Sequence, residues 1–99
     1  MKQILSTLKS TKLDNRIRLG IMSVLVVNDW VEFKHLKELL ALTDGNLASH
    51  IKALEKEQYI EVKKEFVGRK PQTTYKVTEV GRQAFEAHLN ALEALINRK

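Results

Sequence analysis

Asn46, Ser49, His50, Lys52 and Lys56 stand close together in one short stretch, and Arg69 and Lys70 form a second basic site in Gly68-Arg-Lys-Pro71. An amide, a hydroxyl, an imidazole and several cations are groups for hydrogen bonding and charge pairing. Asn can bond an adenine edge bidentately, and Lys or Arg can meet guanine or phosphate. At the second site Gly68 lets the chain turn and Pro71 fixes one φ, so a partly ordered basic tip would lose less entropy on binding. Covalent chemistry has no comparable set. There is no nucleophile elbow, Gly-rich phosphate loop or acid–base constellation, so no enzymatic activity is expected. The chain has no cysteine, which removes thiolate metal sites and disulfides together. His35, His50 and His88 are scattered, and only His35 has a possible second ligand one turn on, Glu38. Two ligands do not make a metal site, and no cofactor is expected.

The elements that must position these residues follow from periodicity. Leu47, Ile51 and Leu54 form the apolar stripe of a helix, capped by Thr43 or Asp44. At about 100° per residue the opposite face carries Gly45, Ser49, Lys52, Ala53 and Lys56, with Asn46 on its flank and His50 nearer the core boundary. Asp44 is expected to cap rather than to read a base. Upstream, Leu36, Leu39 and Leu40 predict a two-turn helix ending near Leu42, with Lys34 a poor residue at its start. Before that, Asp14 or Asn15 caps a helix whose stripe is Ile17, Ile21, Val24 and Leu25, with Arg16 and Arg18 outside. Asn28-Asp29 stops it, and Trp30 to Phe33 predict a short strand. Ile4, Leu5 and Leu8 suggest a short amphipathic N-terminal helix.

Downstream, Tyr59 to Phe66 and Thr73 to Thr78 read as paired strands around a turn over Val67 to Gln72. Lys63, Lys64 and Lys76 are expected to add unspecific attraction for phosphate, while Glu61 and Glu65 show that not all of the hairpin can face a polyanion. Trp30 and the two tyrosines are expected to pack rather than to stack on bases. Thr78 and Glu79 open a last helix with the stripe Phe85, Leu89, Leu92, Leu95 and Ile96, more than a small domain needs for its own core. The fold class is thus α+β, mostly helical, in one domain over residues 1–99: a helix-turn-helix, a two-stranded hairpin and a long C-terminal helix. The terminal helices, about 1–10 and 79–97, are expected to form a dimer interface.

Bulk properties agree with this. A chain of 99 residues can bury a core unaided. Neither a membrane-spanning run nor a signal peptide's apolar core is present, which predicts a cytoplasmic protein without membrane contact. The net charge is +5 and the sequence pI is about 9.6. Residues 1–28 carry five basic and one acidic side chain, 29–48 two and four, 49–78 seven and four, and 79–99 three of each. The positive excess therefore lies in the first helical region and in the second half of the helix-turn-helix with the hairpin, so that charge and motif coincide.

Leu42-Thr-Asp-Gly-Asn-Leu47, His50 to Ile60, Gly68 to Tyr75 and Val77-Thr-Glu-Val-Gly-Arg82 stand in an order that resembles small winged helix-turn-helix transcriptional regulators of the MarR and ArsR groups. The resemblance covers about residues 14 to 90. It implies a homodimer on double-stranded DNA, with Asn46, Ser49 and His50 near base edges or phosphates in the major groove and Arg69 and Lys70 as contacts of the wing on the backbone or in the minor groove. Lys34 and Gln72 depart from the pattern, the first where a helix cap is usual and the second where a further basic residue is common. The cysteine pairs of metal-sensing relatives are absent, and no effector is legible. Two rivals are a winged helix used for protein interaction in a larger assembly and an RNA-binding module. The retained basic face argues against the first and the lack of an aromatic stacking surface against the second.

Overall fold

The computed structural model describes residues 15–97. The expected N-terminal helix with Ile4, Leu5 and Leu8, and the alternative cap Asp14, lie outside them. Asn15 caps α1 (Arg16–Val26), its side chain accepting from the amides of Ile17 and Arg18. Two amides that would otherwise lack intrahelical partners are thereby satisfied. Ile21, Met22 and Leu25 are fully buried, and Ile17 and Val24 pack beside them. Arg16 is exposed as expected, but Arg18 is half-buried and turned toward a neighbouring helix.

The predicted strand over Trp30 to Phe33 shortens to β1 (Val31–Glu32), because Phe33 already begins α2 (Phe33–Leu40). The cap position of α2 is Glu32, which makes no side-chain cap bond, so Lys34 lies inside the helix rather than at its cap. The helix stops at Leu40, two residues before the expected end, where Ala41 takes a left-handed conformation with φ 52°. The amides of Ala41 and Leu42 then bond back to Glu38 and Lys37, closing the last turn. Leu36 is buried and Leu40 packs on the core, but Leu39 is 55% exposed. Leu39 lies about 100° around the helix from Leu40, at the stripe's edge, beyond the reach of α1.

Thr43, not Asp44, caps α3 (Asp44–Lys56): its hydroxyl accepts from the Asn46 amide at 3.2 Å. Asp44 is the first helical residue and pairs with Lys37 of α2 at 2.9 Å, bracing the turn between the two helices. Leu47, Ile51 and Leu54 are buried as the periodicity requires, while Ala53, placed on the outward face, is half-buried at its edge. Gln58, with φ 62°, ends the helix, its amide bonding to Glu55 and that of Tyr59 to Leu54.

β2 (Ile60–Val67) and β3 (Lys70–Val77) form the hairpin, and β1 adds to the far edge of β3 in an antiparallel sheet of order β1-β3-β2. The expected turn over Val67 to Gln72 is two residues, Gly68 and Arg69, because Val67 pairs with Lys70 and Phe66 with Pro71. Only Gly68 of the two has a positive φ, 66°, the pattern of a type II′ turn. In a two-residue hairpin the pair beside the turn exchanges hydrogen bonds and the next pair does not, so Pro71 loses no ladder bond for want of an N–H.

α4 (Glu79–Ile96) is capped by Thr78, whose hydroxyl accepts from the Gly81 amide at 2.9 Å and donates to the Gln58 carbonyl at 2.7 Å. The Thr78 amide donates to the Tyr59 carbonyl at 3.0 Å. Gly81 is buried against Tyr59, where a Cβ would overlap the Tyr59 carbonyl. Phe85 joins the core and His88 is buried, but Leu89 is 43% and Ile96 80% exposed. The distal half of the apolar stripe is thus only partly covered among the described residues, Leu92 and Leu95 being half-buried.

Candidate nucleic-acid interface

The buried stripe of α3 fixes what the helix turns outward. Gly45, Asn46, Ser49, Lys52 and Lys56 are exposed, and Gly45, Ser49, Lys52 and Lys56 fall within about 60° of one another around the axis, with Asn46 on the flank. None of the side chains of Asn46, Ser49, Lys52 and Lys56 forms a hydrogen bond or ion pair among the described residues. A Cβ on Gly45 would meet nothing within 4 Å, so packing within the chain does not call for a glycine there. The first turn of α3 carries the partial positive charge of a helix N-terminus, and Gly45 leaves its backbone uncovered.

His50 is placed differently. It is half-buried, and its Nδ1 accepts a hydrogen bond from Nε of Arg18 at 3.1 Å, which ties α3 to α1. Burial, and then the charge of Arg18, lower its pKa from the ordinary imidazole value. The ring is therefore held neutral with Nε2 as its donor, a link between helices at the border of the exposed face. Sequence periodicity put His50 near the core boundary but gave no sign of Arg18, because the bond joins residues of separate helices.

Arg69 and Lys70 are both exposed at the hairpin tip and make no ion pair among the described residues. The other wing lysines divide. Lys63 lies over the Trp30 ring at 4.4 Å and near Glu65 at 3.8 Å, and Lys76 lies 5.8 Å from the same ring and 3.4 Å from Asp29. These two hold Trp30 against the sheet. Lys64, on the opposite face, stays exposed. The packing expected for the aromatics is seen: Tyr75 is buried and its ring stands 6.4 Å from that of Phe33. Phe66, near the tip, is the exception and is 74% exposed.

Among the described residues no group of three or more His, Asp or Glu side chains could hold a metal, and no helix is long and apolar enough to cross a membrane. The arrangement is a surface of donors and cations on one helix and one hairpin, a geometry for meeting an extended polyanion.

Residues 17–96 match the family of winged helix DNA-binding domains. An uncharacterised protein of Methanocaldococcus jannaschii is 40% identical over 73 residues, 74% of this chain and 79% of that protein. The structure of a transcriptional regulator homologue from Pyrococcus horikoshii OT3 superposes with a TM-score of 0.89 at 34% identity, covering 98% of this chain and 96% of the other. A MarR-family transcriptional regulator from Silicibacter pomeroyi shares the fold at a TM-score of 0.69 and 13% identity, covering 99% of this chain and 67% of its own. The chain belongs to the winged helix DNA-binding domain family and shares its fold with a MarR-family regulator. In that fold α2 and α3 are the helix-turn-helix, and the β2–β3 hairpin is the wing.

Proposed function

We propose that the protein is a sequence-specific transcriptional regulator that binds double-stranded DNA as a homodimer. α3 enters the major groove, and the wing lies on the backbone or in the minor groove. The observation that carries this is the outward face of α3: Asn46, Ser49, Lys52 and Lys56, exposed and unpartnered beside an uncovered glycine. Asn46 and Ser49 present hydrogen-bonding groups to base edges, Lys52 and Lys56 meet bases or phosphates, and His50 contributes at most its Nε2 donor. Arg69 and Lys70 neutralise phosphates beyond the helix, positioning more than specifying. The distal stripe of α4, with Leu89 and Ile96 exposed and Leu92 and Leu95 only partly covered, supports a two-fold interface, the commonest closed way of covering such a surface. The protein would act by occupying an operator rather than by catalysis.

Selection of bound duplexes from a random library tests the proposal. A dimer should select a pseudo-palindrome with half-site centres about 10 bp, or a multiple of that, apart. Asn46→Ala or Ser49→Ala should fold normally yet flatten base preference at one or two positions per half-site, by ~1–3 kcal/mol each. Light scattering should give twice the 11.4 kDa chain mass. Folded variants of Asn46, Ser49 and Lys52 with unchanged affinity and selectivity would make protein interaction the better account.

A further inference from the structure

Phe66 is the one aromatic side chain of the described residues that the fold leaves largely uncovered, and its place on the wing is specific. Along β2 the residues Ile60, Val62, Lys64 and Phe66 share one face of the strand, as the two-residue period requires. The first of these is in the core and the second packs against it. Phe66 stands four residues beyond Val62, about 13 Å further along the strand, where no core residue can follow. Its cross-strand partner is Pro71, also exposed, so the two make an apolar pair at the end of the hairpin.

The surroundings of that pair decide what would cover it. Lys64 shares its face, Arg69 occupies the turn and Lys70, paired with Val67, lies at the tip on the other face, all exposed and without an acidic partner among the described residues. The one nearby acid, Glu65, points to the opposite face and lies 3.8 Å from Lys63. An apolar ring with one exposed cation on its own face, one in the turn and one on the other side of the tip suits a partner that offers both phosphates and an apolar surface between them. The edge of a base step, with its flanking sugars, in a minor groove has that combination, and small wedges of this kind open base steps and bend duplexes.

We infer that Phe66 is a wedge that the wing carries into the minor groove of bound duplex, with Lys64, Arg69 and Lys70 holding the phosphates on either side. The inference rests on the DNA-binding reading above and adds a residue that acts by deforming DNA. Pyrimidine–purine steps unstack most readily, so the selected sites should carry one where the wing falls, although no side chain reads its edge.

The test uses a library-selected duplex labelled at both ends, with bend angle read by energy transfer and affinity by anisotropy over a salt series. Phe66→Ala should reduce the bend, cost about tenfold in affinity, and leave the salt slope unchanged because no charge is lost. It should also remove the step preference at the wing position. Phe66→Leu keeps an apolar wedge and should restore most of the bend. An unchanged bend with Phe66→Ala, whatever its affinity, overturns the inference, and so does a change in oligomeric mass with DNA binding intact, which would make Phe66 a contact between copies. If the parent selects no duplex, the DNA-binding reading falls as well. Parent binding that is sensitive to Arg69→Ala and Lys70→Ala but not to Phe66→Ala removes the wedge alone.

Discussion

Nε of Arg18 in α1 donates to Nδ1 of His50 in α3 at 3.1 Å, so the helix that carries the outward polar face is tied to the first core helix through an imidazole that must stay neutral at that nitrogen. Protonating Nδ1 would replace the acceptor by a donor and set two cations side by side.

A pH dependence of stability follows, with a fixed sign. Burial first and Arg18 second hold the pKa of His50 below its ordinary value. In the unfolded chain the group titrates at about 6.5, so just below that pH the unfolded state binds more protons. Linkage then makes stability rise with pH in this window: the contribution of His50 is complete above about 6.5 and is lost as pH falls through the folded pKa. Urea midpoints measured from pH 7.5 to 5 should fall more for the parent than for His50→Gln, whose amide oxygen can accept from Arg18 without titrating. Equal slopes for the two proteins would contradict this role.

Gly81→Ala should destabilise the fold by about 2–3 kcal/mol, the cost of overpacking a rigid site. The obstacle is the Tyr59 carbonyl, which is backbone and is held by the Thr78 amide at 3.0 Å. Urea denaturation should show a lower midpoint at an unchanged slope.

Gly45→Ala should do the reverse to stability, because the added Cβ meets nothing within 4 Å. A gain of roughly 0.5–1 kcal/mol is expected from helix propensity. Affinity for the selected duplex should nevertheless drop by about tenfold, the worth of one hydrogen bond, if DNA approaches the first turn of α3 closely. Thermal unfolding and duplex titration on the same sample would show both effects.

Replacing Arg69 and Lys70 together by Ala should lower the slope of log K against log salt by ~1–2 and weaken binding to all sequences alike. Unchanged slope and affinity would mean that the wing does not touch the duplex.

Much of this architecture could be read from residue pattern because local and tertiary demands agree. The 3.6-residue stripe of Leu47, Ile51 and Leu54 gave α3 its buried side and hence its outward one. Boundaries were less legible. Ala41 and Gln58 both adopt left-handed conformations that neither residue type announces, and each ends a helix. The expected hairpin turn is longer than the observed one because Lys70, Pro71 and Gln72 have low strand propensity; the ladder overrides it, and the Pro71 nitrogen is not called on to donate to β2. For the candidate interface, the exposed residues of α3 and the tip followed from spacing. The engagement of His50 by Arg18, of Lys63 and Lys76 by Trp30, and the exposure of Phe66 depend on contacts between distant segments, which no periodicity encodes.

The junction at Gly81 has a mechanical consequence. With no side chain between them, the root of α4 and the exit from α3 meet backbone to backbone, and Thr78 bolts them through Gln58 and Tyr59. Such a joint has no slack. An 18-residue helix is a lever about 27 Å long, and its uncovered far end is where a companion chain or ligand would press. Tilting that end by a few degrees must turn the root, and the root cannot turn without carrying the end of α3 along.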